Sequence, residues 1–313
     1  MPPARILVIR LGALGNVILS LDAFAAIRAH HPEAEITLLT TRPYAGWLAQ
    51  SPYFDRVEID RRPAGWDLPG IWRLARQLRA PHYRRVYDLQ TSGRSSRYFL
   101  LFAGQRVEWS GIARGASHPD SDPRRNFLHD IERQAGQLRQ AGVAPAKASL
   151  DWVRADLSRF ALPARYALLV PGASAHRPEK RWPAAQFQAL AAALLADGIT
   201  PVLLGTAIEA AATHAIAAAV PGAIDLAGQT NLGELVAIGR HAKVSVGNDT
   251  GPMHMLAAAG SPALVLFSDA SDPALCAPRG PVVAIRQTPD LADLPPGPVI
   301  AAARLLASGV TSV

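Results

Sequence analysis

Arg5-Ile-Leu-Val-Ile-Arg-Leu-Gly-Ala-Leu-Gly-Asn16 is an apolar run that leads through two glycines into an amphipathic segment. The run predicts a buried strand over 5–10, and the apolar spacing after it predicts a helix over 16–30. Short apolar strands and amphipathic helices alternate in this way along most of the chain. The alternation is typical of βαβ units, so we expect an α/β fold with parallel sheets.

The alternation falls into two halves of comparable size, joined by the irregular stretch 146–165. The first half predicts strands 5–10, 35–40, 56–60 and 84–89 and helices 16–30, 43–50, 67–80, 94–103 and 126–141, with a loop between the last two helices. The second half predicts strands 166–170, 200–204, 223–226, 243–246 and 263–267 and helices 183–197, 207–219, 231–240, 252–259 and 298–308. We therefore expect Rossmann-like domains over 1–155 and 156–296, followed by a helical segment, 297–313.

Composition narrows the class of protein. Of 313 residues, 49% are apolar and 18% charged, which is typical of a globular chain. The longest apolar runs, such as 189–196, fall far below the roughly 18 residues that a membrane helix needs, and the N-terminus does not resemble a signal peptide. Cys276 is alone, so we expect neither a disulfide framework nor a cysteine zinc site. These features predict a cytoplasmic protein.

The charge balance is basic, with 32 Lys and Arg against 25 Asp and Glu and a sequence pI near 10.1. An anionic partner would explain this excess, and so would a genome that favours arginine and alanine. Nothing in the sequence resembles a helix-turn-helix, a zinc finger or an aromatic RNA-binding sheet, so nucleic acid is not an expected partner.

Ligands of open parallel sheets bind beyond the carboxyl ends of the strands, so the loops at these ends are the expected ligand sites. The first loop has the spacing Gly12-x-x-Gly15, which is not the G-x-G-x-x-G of dinucleotide-binding proteins. The second predicted strand ends at Thr40-Thr41-Arg42, without an acidic residue to hold an NAD ribose. An NAD-dependent dehydrogenase is therefore disfavoured.

Two loops of the second half have the residues of a phosphate site. Ser174, Lys180 and Arg181 offer a hydroxyl, an ammonium and a guanidinium on one loop, although a solvated basic loop would look the same. Asp249-Thr250-Gly251-Pro-Met-His254 follows a strand and opens a helix, whose free N–H groups could bind an anion without a metal. In the alternative reading, Asp249 caps the helix and His254 is a packed core residue.

Taken together, these loops resemble glycosyltransferase family 9, the ADP-heptose:lipopolysaccharide heptosyltransferases. The resemblance extends over essentially the whole chain and rests on four motifs, Arg10-Leu-Gly-Ala-Leu-Gly-Asn-Val17, Asp88-Leu-Gln-Thr-Ser-Gly-Arg-Ser95, Gly172-Ala-Ser with Lys180-Arg-Trp-Pro183, and Asp249-Thr-Gly-Pro-Met-His254. It implies a GT-B fold, in which an N-terminal acceptor domain and a C-terminal nucleotide-sugar domain face each other across a cleft. It also implies inversion at the anomeric carbon, no cofactor, no bound metal, and a last helix that crosses back to the N-terminal domain.

The resemblance also implies roles for individual residues. Lys180 and the Thr250-Gly251 backbone would hold the donor diphosphate with help from Ser174, Glu209 would hold the ribose, and Asp249 would border the donor sugar. Arg181 and His254 belong to the same donor site. On the acceptor side the expected residues are Gly12, Gly15, Arg94 and Arg97, the two arginines facing an acidic group of the acceptor.

One position departs from the family pattern. Relatives of known activity have Leu-Gly-Asp where this chain has Leu14-Gly15-Asn16, and that aspartate is the expected base. An amide cannot accept the acceptor hydroxyl's proton as a carboxylate does. Asp22 lies about 240° further around the predicted helix, so Asp88, at the end of a strand in the same domain, is the better substitute. The candidate catalytic residues are therefore Asn16 and Asp88.

Three functions are consistent with the sequence. The first is an inverting, metal-independent transferase that moves a sugar, heptose from ADP-heptose by resemblance, onto a lipid-anchored anionic glycan of the lipopolysaccharide core type. The second is a nucleotide-sugar-binding homologue with little or no transfer activity, and the third is a nucleotide-sugar epimerase of the same fold. Asp120-Ser-Asp122 is formally a DxD motif, but its turn-rich surroundings argue against a metal site. If the acceptor is membrane-anchored, Arg73, Arg76 and Arg79 should face an anionic inner-membrane surface.

Overall fold

The computed structural model describes residues 3–173 and 176–311 and divides into two compact units, Met1–Trp152 and Val153–Val313. The division lies three residues before the expected border between 155 and 156, within the irregular stretch 146–165. Each unit contains a six-stranded sheet whose strands all run parallel. The predicted α/β class with two parallel sheets is confirmed.

The first unit has the strand order β3-β2-β1-β4-β5-β6. Its strands are β1 (Arg5–Ile9), β2 (Glu35–Thr40), β3 (Arg56–Ile59), β4 (Arg85–Asp88), β5 (Glu108–Gly111) and β6 (His118–Pro119). Its helices are α1 (Leu14–Ile18), α2 (Leu21–His30), α3 (Arg42–Leu48), α4 (Leu68–Arg79), α5 (Gly93–Arg97) and α6 (Asp130–Gln140).

The second unit has the order β12-β11-β10-β7-β8-β9, which is the same order when the strands are counted from the first of each unit. Its strands are β7 (Tyr166–Val170), β8 (Thr200–Leu203), β9 (Ile224–Asp225), β10 (Val244–Asn248), β11 (Ala263–Phe267) and β12 (Val283–Gln287). Its helices are α7 (Ala184–Ala196), α8 (Ala210–Ala219), α9 (Leu232–His241), α10 (Gly251–Ala258), α11 (Pro273–Cys276) and α12 (Pro296–Ala307).

Several elements differ from the sequence prediction. The predicted helix 16–30 is two helices, because the carbonyl oxygen of Asn16 accepts hydrogen bonds from the guanidinium of Arg10 and from Ser20 Oγ. The amide of Ser20 bonds the oxygen of Val17 instead, and the chain turns before α2. Predicted helix 94–103 is α5 followed by a 3₁₀ helix, Tyr98–Phe102, and 126–141 is a 3₁₀ turn, Arg125–Phe127, followed by α6.

The prediction missed β5, β6, β12 and the short α11. β5 contains one large apolar residue, Trp109, which is fully buried, so the strand has no apolar run for a pattern search to find. β12 is at the sheet edge, where only Ala284 is buried. Edge strands and two-residue strands expose much of their surface, so their sequences lack the continuous hydrophobicity of central parallel strands.

The last helix was expected to cross back to the first domain, but its buried face packs within the second unit. Val299, Ala302, Ala303 and Leu306 join the core cluster that contains Phe187, Leu190 and Leu194 of α7. The apolar stripe of α12 is therefore used to cover the sheet of its own unit. Among the described residues, no helix combines the length and the apolar character needed to cross a bilayer.

Candidate functional site

The strand order of each unit reverses beside its first strand, between β1 and β4 and between β7 and β10. In the second unit these neighbouring strands are in register, with Val170 opposite Gly247. Their carboxyl ends place the described parts of the following loop, 171–173 and 176–183, beside the turn that opens α10. Crevices at such reversal points are the usual ligand sites of open α/β sheets.

The N-terminus of α10 lies close against the sheet. A Cβ at Gly247 would come within 2.6 Å of Val170 Cβ and 2.8 Å of Met253 Sδ, so only glycine lets the helix approach this far. No side chain caps the helix, and the buried hydroxyl of Thr250 has no hydrogen-bond partner among the described residues. An uncapped helix start with an unpartnered hydroxyl is suited to an anion.

Asp249 organises the charged groups beside this helix. Its Oδ2 accepts hydrogen bonds from Lys180 Nζ at 2.6 Å and from Ser271 Oγ at 2.7 Å, and His254 Nε2 is 3.8 Å from Oδ1. Burial alone would raise the pKa of Asp249, but the nearby imidazole of His254 and the hydrogen bonds from Lys180 and Ser271 outweigh it and lower that pKa to about 2. The carboxylate is thus ionised and holds the ammonium of Lys180 at the site.

Asn248 fixes both ends of the loop that carries Lys180. This fully buried amide donates from Nδ2 to the carbonyl oxygen of Pro171 at 2.8 Å and accepts from the amide of Trp182 at 3.0 Å. Trp182 is itself buried, and its Nε1 donates to Leu294 O at 2.8 Å. Sequence analysis missed Asn248 and Ser271, although a polar residue that ends a wholly buried strand is a signal that could have identified Asn248.

Two further predicted donor residues, Glu209 and Arg181, lie around this loop. The carboxylate of Glu209 accepts two bonds from Thr206 and lies over Gly172, where any Cβ would collide with Oε1. This places a carboxylate between the ends of β7 and β8, suited to hydroxyl groups of a sugar. Arg181 is exposed, and its Nη2 donates to Ala173 O at 3.3 Å. Ser174 lies outside the described residues.

The corresponding point of the first unit is closed by a buried arginine. Arg10 is 2% exposed, and its guanidinium donates to Leu89 O at 2.6 Å and pairs with Asp130 at 2.5 Å. Asp130 also pairs with Arg133. Nearby, Gly12 has φ +119°, and a Cβ there would lie 2.7 Å from the ring of Tyr44, so the turn requires glycine. Sequence analysis gave Arg10 no role.

Asn16 and Asp88 differ in access to solvent. Asn16 is exposed in the first turn of α1, beside Gly15. Asp88 is fully buried, with Oδ1 accepting from the amide of Thr91 at 3.0 Å and Oδ2 unpartnered among the described residues. Burial raises the pKa of Asp88 to about 6, although the Ser95 hydroxyl and backbone amides act in the opposite direction.

Several arginines lie at the same sheet edge of the first unit. Arg42, Arg61 and Arg62, which sequence analysis did not select, line a cavity of about 590 Å³ together with Gly12. Arg94 and Arg97 are exposed on α5, and Arg94 Nη1 donates to Pro63 O at 3.0 Å. The formal DxD is engaged elsewhere, since Asp120 pairs with Arg125 and Asp122 with Arg124. Asp22 bonds Lys147.

Comparison with known proteins gives a consistent result. Lipopolysaccharide heptosyltransferase 2 of Salmonella typhimurium is 27% identical over 294 residues, which are 85% of this chain and 83% of that protein. The structure of a family 9 glycosyl transferase from Veillonella parvula superposes with a TM-score of 0.84 at 20% identity, covering 98% of this chain and 99% of the other. E. coli heptosyltransferase WaaC with ADP-2-deoxy-2-fluoro heptose has a TM-score of 0.76 at 20% identity, covering 96% and 99%.

These structures confirm the expected GT-B fold class. The family model of glycosyltransferase family 9 (heptosyltransferase) matches residues 71–287, a stretch that contains Asp88, Arg94, Lys180, Glu209 and Asp249. The match extends over more than half of the chain and includes both the loop fixed by Asn248 and the opening of α10. The chain therefore belongs to glycosyltransferase family 9.

Proposed function

We propose that this glycosyltransferase moves a heptose from ADP-heptose onto a lipopolysaccharide core-type acceptor, with inversion at the anomeric carbon and without a metal. The observation that carries the proposal is the uncapped start of α10 beside the Lys180–Asp249 pair. Helix dipole and ammonium together supply positive charge for a diphosphate. The names of the relatives, lipopolysaccharide heptosyltransferases 2 and 3, support the sugar and the acceptor class.

Each donor residue has a chemical task in this proposal. The amides at the start of α10 and Lys180 bind the diphosphate and stabilise the charge that develops on it as the leaving group. Ser174, Arg181 and the Thr250 hydroxyl add donors, while Glu209 accepts hydrogen bonds from the ribose. Asp249 keeps Lys180 in place and, with His254, borders the sugar.

In the transfer step, the acceptor hydroxyl oxygen bonds the anomeric carbon as the bond from that carbon to the diphosphate oxygen breaks. The electron pair leaves with ADP, and the hydroxyl proton passes to a base. Asn16 is exposed and can orient the hydroxyl, but an amide is a poor base, whereas Asp88 is a carboxylate that solvent does not reach. The proposal therefore gives Asn16 a positioning role, with slow proton removal.

A second candidate follows from the same residue. With an amide at position 16, the protein could bind nucleotide sugars with little or no transfer. An epimerase of the same fold would instead release an altered nucleotide sugar without an acceptor, which NMR analysis of the products would detect.

For the acceptor we propose a lipid-anchored anionic glycan. Arg42, Arg61 and Arg62 surround a cavity large enough for sugar units, and Arg94 and Arg97 add exposed charge to the same unit. A carboxylate or phosphate of the acceptor would pair with these guanidinium groups. We accordingly propose a protein of the cytoplasm in peripheral contact with the inner membrane.

Calorimetric titration with ADP, ADP-heptose and other nucleotide sugars tests the proposal, followed by transfer assays with a core-type acceptor. Binding of ADP-heptose with measurable transfer supports the transferase. Binding without turnover against every acceptor supports the second candidate, and no binding of any nucleotide sugar by folded protein contradicts both.

A further inference from the structure

The positive charge of the chain is concentrated in one segment. Residues 61–106 contain ten arginines and two aspartates, a net charge of +8, while the rest of the chain sums to −1. The second unit, with eleven basic and eleven acidic residues, is neutral. A genomic preference for arginine would raise the charge throughout, so this distribution points to a local role.

The acidic residues of the segment do not offset this charge on the surface of α4. Asp88 is buried, and Asp67 caps α4 by accepting a hydrogen bond from the amide of Gly70 at 2.9 Å. Among the described residues, no carboxylate lies within 4.0 Å of a guanidinium nitrogen of Arg73, Arg76 or Arg79. These arginines therefore present uncompensated positive charge.

α4 is amphipathic, but its outer face is not simply polar. Gly70, Leu74 and Leu78 face the core. The opposite side carries what we call the α4 face, formed by Trp66, Leu68, Trp72, Arg73, Arg76 and Arg79. Trp66 is 86% exposed, Leu68 71% and Trp72 61%. Large apolar side chains exposed together mark interaction sites on soluble proteins.

The arginines and tryptophans of the α4 face are arranged as one surface. The guanidinium carbon of Arg76 lies 4.9 Å from the centre of the Trp72 ring, a cation–π contact. Arg79 donates from Nη1 to the carbonyl oxygens of Leu101 and Ala103, both at 2.8 Å, which ties α4 to the 3₁₀ helix Tyr98–Phe102. That 3₁₀ helix exposes Leu100 at 71%.

We infer that the α4 face docks the protein onto an anionic lipid bilayer. Tryptophan prefers the boundary between headgroups and acyl chains, and arginine reaches phosphate while its stem covers apolar surface. Interfacial anchors of peripheral proteins combine tryptophan and leucine with lysine and arginine, and the α4 face has the same combination. The inference rests on the proposed function, because a lipid-anchored acceptor would require the protein to reach the membrane. It adds which surface of the protein makes that contact.

A nucleic acid would also match the charge, and tryptophan can stack on bases. The exposed aliphatic residues Leu68 and Leu100 have no such use, whereas both can enter the acyl region of a bilayer. The combination of tryptophan, leucine and arginine therefore favours lipid over nucleic acid.

Vesicle binding by the full chain tests the inference. Phosphatidylglycerol–phosphatidylethanolamine vesicles are compared with pure phosphatidylcholine vesicles in a co-sedimentation assay, at low and at high salt. We expect binding to the anionic vesicles only, and weakening with salt, because exposed charges are screened beyond about 8–10 Å at physiological ionic strength. Binding to neither, or to both equally, overturns the inference.

Matched variants locate the contact. Arg73→Gln/Arg76→Gln should weaken anionic-vesicle binding about thirty-fold, given the usual attraction of juxtamembrane arginines to such surfaces. Trp66→Ser/Trp72→Ser should weaken it about tenfold or more, since exposed apolar area no longer enters the bilayer. The controls Arg114→Gln/Arg139→Gln and Phe127→Ser remove exposed residues of the same unit away from α4, and should change binding little.

Two readouts separate this inference from the proposed function. Donor affinity and transfer to a water-soluble acceptor fragment should be unchanged in all four variants, which also confirms that they fold. Equal losses in the α4 variants and the controls would contradict docking through α4, whatever the donor binding. A single-stranded oligonucleotide is the competitor. If it binds more tightly than the vesicles and its binding depends on the same residues, the surface is a nucleic-acid site instead.

Discussion

The two units share one strand order but differ in how the charged side chain at the reversal point beside the first strand is surrounded. In the first unit, Arg10 occupies the interior of that point and is satisfied by Asp130 and by carbonyl oxygens. In the second unit, Lys180 pairs with Asp249 beside the uncapped start of α10. The cation of the first unit is thus enclosed among fixed partners, whereas the Lys180–Asp249 pair of the second unit lies beside an uncapped helix start, where we propose that the donor diphosphate binds.

The aspartates at these two points show the same contrast. Asp88 ends β4 and has no cation in contact among the described residues, so burial raises its pKa to about 6. Asp249 follows β10, accepts hydrogen bonds from Lys180 and Ser271 and has His254 nearby, so its pKa falls to about 2. A buried carboxylate without a paired cation favours its neutral form, whereas one surrounded by donors stays charged.

Asn16→Asp should have the largest effect on function. A carboxylate at the start of α1 would be kept ionised by the helix dipole and would supply the missing base. We expect turnover to rise by about 10²–10⁴-fold, the usual contribution of general base catalysis, with little change in donor affinity. Steady-state assays with saturating donor measure this. If turnover is already high and unchanged in this variant, while Asp88→Asn abolishes it, Asp88 is the base.

Asp130→Ala should most affect stability. It leaves the Arg10 guanidinium buried without its anion, which typically costs about 3–5 kcal/mol of unfolding free energy. Urea denaturation followed by circular dichroism measures the loss. Lys147→Ala is the matched control, because it breaks an ion pair in the same unit whose lysine side chain is 88% exposed, and it should change stability little. Similar losses in both variants would contradict an internally neutralised first unit.

Lys180→Ala should weaken ADP and ADP-heptose binding by about 1.5–3 kcal/mol, the range for a hydrogen bond to a charged group. Lys180→Glu should be worse, because it adds repulsion against the diphosphate. Lys243→Ala removes an exposed lysine elsewhere in the second unit and is the calorimetric control. An unchanged dissociation constant in Lys180→Ala would remove this lysine from the donor site.

The pH dependence of stability tests the contrast between the aspartates. Folding raises the pKa of Asp88, so the folded protein holds this proton more tightly than the unfolded chain does. The free energy of unfolding therefore falls as the pH rises from about 4 to about 6. Asp88→Asn should remove this fall and stabilise the protein at pH 7 by about 3 kcal/mol. Asp249 has the opposite effect, because folding lowers its pKa. Its ionised carboxylate stabilises the folded protein above about pH 4, and this stabilisation is lost as the pH falls through about 2. Denaturant titrations of wild type, Asp88→Asn and Asp249→Asn across this pH range measure both effects. A pH dependence of the opposite sign at either aspartate would contradict the prediction.

The positions of the loops were predictable from the sequence because carboxyl ends of parallel strands meet at one sheet edge. The apolar runs that precede Gly12 and Asp249 locate those ends without any tertiary information. The partners were not predictable in the same way: Asp130 is 120 residues from Arg10, and Ser271 is 22 from Asp249. Likewise β5, whose only large apolar residue is Trp109, becomes a strand through pairing with β4.

Hydrogen–deuterium exchange of the intact protein, with and without ADP, compares the two reversal points directly. We expect ADP to slow exchange at the amides of Thr250 and Gly251 and along the loop 171–182, since the proposed function places the diphosphate beside these groups. Exchange over residues 10–16 and 88–93 should not change, because the Arg10 guanidinium there already pairs with Asp130 and with carbonyl oxygens and leaves no charge for ADP. Protection confined to the first unit, with none at the start of α10, would contradict the assignment of the donor site to the second unit.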